Sequence, residues 1–355
     1  MPIFVRPFGA LVAVAVLSLL TAATCTAPRP SITVAAAEKH RGAHVFGRLD
    51  SLNVQSFHDY HIGWITLVPY ASQRDIDNSP VRYQRGDTTA QRERMARWAE
   101  QIGVARRAGF KVFLKPHIWL HAPAPGKWRS DIYPADSNDW VQWAEGYRAF
   151  ILNYAQIAAD NQVEAFCVGT EFTRLSAEKP DFWRTLIRDV RAIYPGKLTY
   201  AANWYEEYEQ VAFWDALDFI GVQAYFPLVT RDAPSVAQLT EGWQKFIPDL
   251  RRVHEHYQRP VLFTELGYKS TLDGATRPWE WMDYSDRDTT RRSDATQTNA
   301  YRAFFDTVWD LPWFAGVHLW QLRSDYDPAS ENYGTMDFTP LGKPSAAVIR
   351  ENFAR

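Results

Sequence analysis

Cysteine is almost absent: the 355 residues hold two, Cys25 and Cys167, so no disulfide framework is expected. Cys167 lies in the apolar run Ala165-Phe166-Cys167-Val168 and reads as a small core hydrophobe. An excess of charge of one sign is missing too, with 39 Lys and Arg against 41 Asp and Glu and a formal net charge of −2. Such a balance gives no general attraction to a phosphate backbone or an anionic membrane surface, and nucleic acid is not an expected partner. The chain has no His-Glu-x-x-His spacing and no Gly-x-Ser-x-Gly elbow, and no glycine-rich phosphate loop follows any candidate strand. Metal-assisted hydrolysis, serine-elbow chemistry and nucleotide binding therefore lose support, and no cofactor is expected.

Residues 8–23 form an uncharged apolar stretch behind Arg6, followed by small residues. This is the layout of a secretory signal peptide and is short for a membrane span. Ala22-Ala23-Thr24-Cys25 loosely resembles a lipoprotein box, while Ala35-Ala36-Ala37 offers an ordinary small-residue cleavage site. Residues 1–37 are accordingly expected to serve export, as a signal peptide or as a lipoprotein signal with a short linker. Residues 38–355 then form one domain. Membrane contact is expected only through a lipid on Cys25, if that route is taken.

Beyond residue 40 short apolar runs alternate with segments of helical period, the pattern of parallel βα units. Eight candidate strands fall at 43–46, 64–69, 111–116, 163–170, 198–203, 219–224, 261–264 and 316–320. Between them, Trp140, Trp143, Tyr147, Phe150, Ile151, Tyr154 and Ile157 form one helical stripe, with Ser137 and Asp139 as candidate caps. Trp183, Leu186, Ile187, Val190 and Ile193 form a second. A third, from Leu239 to Val253, contains Pro248 and is expected to kink there. Eight such pairs without a linker predict a (β/α)₈ (TIM) barrel in a single domain.

In that architecture chemistry sits at the C-terminal ends of the strands. Glu164 and Asp218 begin the fourth and sixth strands and read as structural carboxylates at the opposite end. Glu171 and Glu265 follow the fourth and seventh apolar runs, on strands that face each other across a closed barrel. Two carboxylates flanking a pocket meet the needs of glycosidic bond cleavage, in which one donates a proton and the other meets the sugar's developing positive charge.

At these residues the chain resembles glycoside hydrolase family 113. The resemblance is carried by Val168-Gly169-Thr170-Glu171, Phe263-Thr264-Glu265-Leu266-Gly267-Tyr268, Lys115-Pro116-His117 and the run from Asp218 to Tyr225, and it extends from about residue 44 to Gly342-Lys343-Pro344. It implies a retaining (β/α)₈ enzyme of clan A acting on a β-linked glycan, with β-1,4-mannan the substrate of the known members. It further implies Glu171 as acid/base, Glu265 as nucleophile, Tyr225 as a hydrogen-bond partner of the nucleophile and Trp320 as the floor of the reacting sugar's subsite. Where the clan usually has Asn before the acid/base, this chain has Thr170.

Lys115, His117, Trp119 and Asn203 complete the expected substrate-binding set. His318 lies two residues before Trp320 and reads as barrel-interior packing. Two long loops, 118–136 and 269–292, carry Trp119, Trp128, Tyr133, Trp279, Trp281 and Tyr284 as candidates either to stack on sugars or to pin the loops. The alternative to an enzyme is a noncatalytic glycan-binding barrel lipoprotein.

Overall fold

A computed structural model describes residues 32–77, 80–83, 88–281, 289–325 and 336–355. The expected signal segment, with Cys25, and Tyr284 lie outside them. Ten strands occur in chain order: β1 (His40–Phe46), β2 (Trp64–Leu67), β3 (Tyr70–Gln73), β4 (Lys111–Leu114), β5 (His117–Leu120), β6 (Ala165–Thr170), β7 (Lys197–Asn203), β8 (Phe219–Gln223), β9 (Val261–Leu266) and β10 (Phe314–Arg323). Eight close into a parallel barrel in the order β1-β10-β9-β8-β7-β6-β4-β2. The expected (β/α)₈ barrel is what the chain forms.

The other two strands come from an effect of proline. Pro69 and Pro116 lack the N–H that would continue the second and third barrel strands. The chain pairs again just above, β3 with β5 in parallel, Tyr70 opposite His117 and Ser72 opposite Trp119. Alternation then divides the two faces: Ala71, Gln73, Ile118 and Leu120 are buried, while Tyr70 and Trp119 are exposed. Trp119 thus stands on a strand rather than in a loop.

The helices are α1 (Thr89–Arg107), α2 (Ser137–Asp160), α3 (Thr173–Glu178), α4 (Pro180–Arg191), α5 (Val236–Tyr257), α6 (Asp294–Phe304) and α7 (Pro344–Phe353). The connections after β1 and β7 hold only the 3-10 segments Asn53–Tyr60 and Trp214–Ala216. The cap of α2 is Asp136, whose carboxylate accepts from the backbone of Asn138 at 2.7 Å and Asp139 at 3.4 Å, and not Ser137 or Asp139. Helix α5 includes Pro248 within its span.

Trp143, Tyr147, Trp183 and Trp243 are fully buried between helices and sheet, as their stripes require. Inside the barrel, Trp64, Phe113, Ala165, Cys167 and Ala201 form a separate apolar plug. Above it, His318 bonds to His40 at 3.0 Å and Thr66 at 2.7 Å and is fully buried. At the N-terminal ends of the strands Glu164 accepts from Val112 N at 2.8 Å and Asp218 from Leu198 N at 2.9 Å, each tying one strand to its neighbour. Among the described residues no helix is long and apolar enough to cross a membrane.

Candidate active site

Barrel closure sends the side chains that follow β6 and β9 toward one another. Glu171 has φ of +59°, a left-handed backbone uncommon for a residue with a Cβ, held by its N–H donating to Ala201 O at 2.9 Å. Its Oε2 accepts from Arg129 Nη2 at 2.8 Å and Nε at 3.3 Å and from Trp128 Nε1 at 3.1 Å, while Oε1 accepts from Gln223 Nε2 at 3.2 Å. Every contact is donated to Glu171, the pattern of a carboxylate. Burial opposes charge on Arg129, but the Glu171 carboxylate outweighs it, and the guanidinium is raised above its ordinary value.

Glu265 has a different set of donors. Tyr225 Oη donates to Oε2 at 2.7 Å, and Lys115 Nζ forms a buried ion pair with Oε1. His44 Nε2 and His117 Nε2 stand 3.8 and 4.0 Å from the same oxygen. Burial, with the charge of Lys115 second, holds both imidazoles well below their ordinary range, so they are neutral at pH 7. Burial and the Glu265 carboxylate together push the Tyr225 phenol well up, keeping its proton available to donate. Gln223 links the two carboxylates: its amide donates to Glu171, and its carbonyl accepts from Lys115 at 2.9 Å and Thr264 at 3.0 Å.

Both glutamates open into one cavity of about 910 Å³ at the C-terminal end of the barrel, a size suited to a ligand of several rings. His117, Trp119, Asn203, Tyr225 and Trp320 also line it. Lys115 is fully buried beneath Glu265 and does not line the cavity, because Glu265 and Gln223 cover its ammonium group. Both ring nitrogens of His117 are buried and lack a hydrogen-bond partner, which leaves them for a ligand. Thr170 is buried below the lining and contacts Cys167 at 3.8 Å.

The two long loops place their aromatics differently. Trp128, Trp279 and Trp281 reach the cavity, with Trp279 stacked 5.3 Å from Trp204 and Trp281 edge-on to Trp320 at 5.8 Å. Tyr133 instead sits under Arg174 at 3.6 Å and pins its loop to α3.

Sequence reasoning missed Arg129, Gln223, Tyr70 and Tyr205, all around Glu171 or on the cavity wall, and Glu207 behind it. Glu207 is wholly buried and accepts from five donors: Tyr200 Oη at 2.5 Å, Asn203 N at 2.7 Å, Asn203 Nδ2 at 3.0 Å, and the hydroxyls of Thr173 and Ser176, each at 3.1 Å. Burial still pushes its carboxyl up to about 7. Through these bonds it holds Asn203, on the cavity wall, and the turn just after Glu171. Gln223 stands two residues before Tyr225, so strand period alone could have found it. Among the described residues no group of three or more His, Cys, Asp or Glu is placed to hold a metal ion.

Comparison with known proteins agrees with this geometry. A β-mannanase of glycoside hydrolase family 113 from Alicyclobacillus acidocaldarius, solved in complex with ManMIm, is 26% identical, with 89% of this chain and 97% of that one covered at a TM-score of 0.73. A second family 113 structure, a β-1,4-mannanase, is 25% identical over 89% of this chain and 99% of its own, also at 0.73. A Faecalibacterium prausnitzii β-glucuronidase shares the fold at 13% identity and a TM-score of 0.57, over 49% of its own length. No curated protein sequence matches. The model of Glycoside Hydrolase Family 113 matches residues 46–343, and this retaining hydrolase of β-linked glycans belongs to that family.

Proposed function

We propose that the chain is an exported hydrolase of β-1,4-mannan or manno-oligosaccharides, with Glu265 as nucleophile and Glu171 as acid/base. The observation that carries the assignment of roles is the asymmetry of donors. Tyr225 and Lys115 hold Glu265 as an ionised carboxylate with its two oxygens fixed, the state an attacking group requires. Attack on the anomeric carbon forms a glycosyl ester on Glu265 as the glycosidic bond breaks and its oxygen takes a proton from Glu171. Water then attacks the same carbon, loses a proton to Glu171, and Glu265 departs as carboxylate.

Arg129 and Trp128 mark the second of these stages, since they donate to Glu171 Oε2 as to a base. A proton on Oε2 would displace them, so the first stage calls for the Trp128–Arg129 segment to yield when a sugar enters. His117, Asn203, Trp119 and Trp320 are the proposed sugar contacts, the histidine through its unpartnered nitrogens. Lys115 acts on the substrate through Glu265. Export rests on the apolar segment 8–23, with lipidation of Cys25 as one of its two routes.

The test is hydrolysis of β-1,4-mannan and of a panel of other β-linked polysaccharides by residues 38–355, with proton NMR of the first product. Mannan should be cleaved in preference, with the anomeric configuration kept. Preference for another β-glycan would refute the substrate, and an inverted first product would refute Glu265 as nucleophile.

A further inference from the structure

The wall formed by β3 and β5 continues beyond the cavity. Tyr70 and Trp119 line the cavity on one side and, on the other, an open groove of about 500 Å³ whose remaining lining includes Ser72, Arg82, Arg94 and His121. The path between them is a row of rings on one sheet face: His117 beside Glu265, Tyr70 edge-on to His117 at 5.6 Å, and Trp119 edge-on to Tyr70 at 6.1 Å. Trp119 is 50% exposed, the condition for a platform and not for core packing.

Charge separates the groove from the cavity. No carboxylate lines it, whereas three of its side chains are basic or can become so. The cavity's own buried arginine, Arg129, is committed to Glu171. Neutral mannan presents only hydroxyls, which engage a guanidinium weakly compared with a planar or tetrahedral anion.

We propose that this groove is a distal subsite for an anionic substituent, a carboxylate or a phosphate or sulfate ester, carried by the glycan a few sugars from the bond cleaved. Resting on the hydrolase reading above, the inference narrows the substrate to an acidic heteroglycan whose backbone crosses Tyr70 and Trp119 and whose charged group meets Arg82 and Arg94. Two solvent-facing charge-assisted hydrogen bonds support a preference of about tenfold in KM, and one that salt weakens.

The experiment compares neutral manno-oligosaccharides with the same chains bearing carboxylate, phosphate or sulfate groups. Each is assayed at low and high ionic strength with the unaltered protein and with the double variant Arg82→Gln/Arg94→Gln. The unaltered protein should show a lower KM on at least one charged series, and high salt should erase the advantage. The double variant should lose that advantage while keeping its kcat/KM on short neutral oligosaccharides within about twofold. The three charged series show which anion the groove takes.

Equal KM on neutral and all charged chains would overturn the proposal, as would a preference that survives in the double variant. Calorimetric binding of the same oligosaccharides to the Glu265→Gln protein reads the groove without turnover. If charged chains bind better there while no β-mannan backbone is cleaved by the unaltered protein, the substrate reading fails and the groove stands. If mannan is cleaved with no charge preference in either assay, the groove fails and the substrate reading stands.

Discussion

Replacement of Glu207 by glutamine separates a buried charge from the hydrogen bonds around it. With five donors about the carboxylate, glutamine keeps one accepting oxygen for Asn203 and Thr173. Its new N–H groups would face the hydroxyls of Tyr200 and Ser176, and Ser176 can accept because it also donates to Thr173 O at 3.0 Å. The variant should therefore fold. In the unaltered protein the folded state keeps the Glu207 proton up to about pH 7, while the unfolded chain releases it near its ordinary value of 4.5. Between those values the unfolded state binds fewer protons, so this group's contribution to stability falls as pH rises and is level above about 7. At about 1.4 kcal/mol per pH unit the interval amounts to roughly 3 kcal/mol, an upper figure for a single buried carboxyl.

Chemical denaturation of both proteins at intervals from pH 4.5 to 8 isolates the effect, since all other titrating groups are shared and cancel in the difference. The glutamine variant should gain on the unaltered protein steadily up to neutrality and then hold constant. A difference that does not change with pH would refute the reasoning, because Glu207 would then lose its proton equally well in both states.

The remaining predictions concern the site and the barrel. Glu265→Ala should abolish turnover on every substrate, whereas Glu171→Ala should spare aryl glycosides with good leaving groups and be accelerated on them by azide; equal loss on all substrates in both variants would contradict the separate roles. Trp320→Phe should keep a cooperative thermal transition and lose at least tenfold in kcat/KM on oligosaccharides, about 1.4 kcal/mol of sugar contact; a lowered Tm with unchanged kcat/KM would make Trp320 a packing residue. Burial holds the pKa of His40 near 3 and those of His44, His117 and His318 well below 6.5. Their contribution is complete above about pH 6.5 and is lost as pH falls, with a slope of at most about 1.4 kcal/mol per pH unit for each, readable as acid destabilisation in Glu207→Gln. Removal of residues 1–37 should leave a soluble folded barrel, since β1 begins at His40; aggregation relieved only by restoring residues 8–23 would count against the export reading.

Periodic features were legible in the sequence because burial on both faces of a parallel sheet writes itself as apolar runs. All eight barrel strands and the stripes of α2, α4 and α5 follow from that signal. The first connection was the hardest to delimit and contains a 3-10 segment in place of an α-helix. Asp136, Ser137, Asn138 and Asp139 are all competent caps, and only the backbone path selects Asp136. Glu171 and Glu265 were visible because each ends an apolar run. Arg129 follows no period; it meets Glu171 across 42 residues through an irregular loop, which nothing local encodes. Glu207 looks like one of three glutamates in a polar turn, Glu206, Glu207 and Glu209, and its burial depends on Tyr200 and Ser176 arriving from other elements.

Because the β3–β5 wall is a paired sheet, its tolerance to change is unlike that of a loop. Replacing Tyr70 or Trp119 alters one contact and leaves the rest in place. Inserting a single residue into β5 ahead of Trp119 would exchange its two faces, turning the indole toward the packed side and Ile118 toward the sugar path. Specificity at this wall is thus open to point substitution and closed to length variation, which the loops at 121–136 and 269–281 can accommodate. Directed evolution of the enzyme toward new glycans would do well to treat the two surfaces with different libraries.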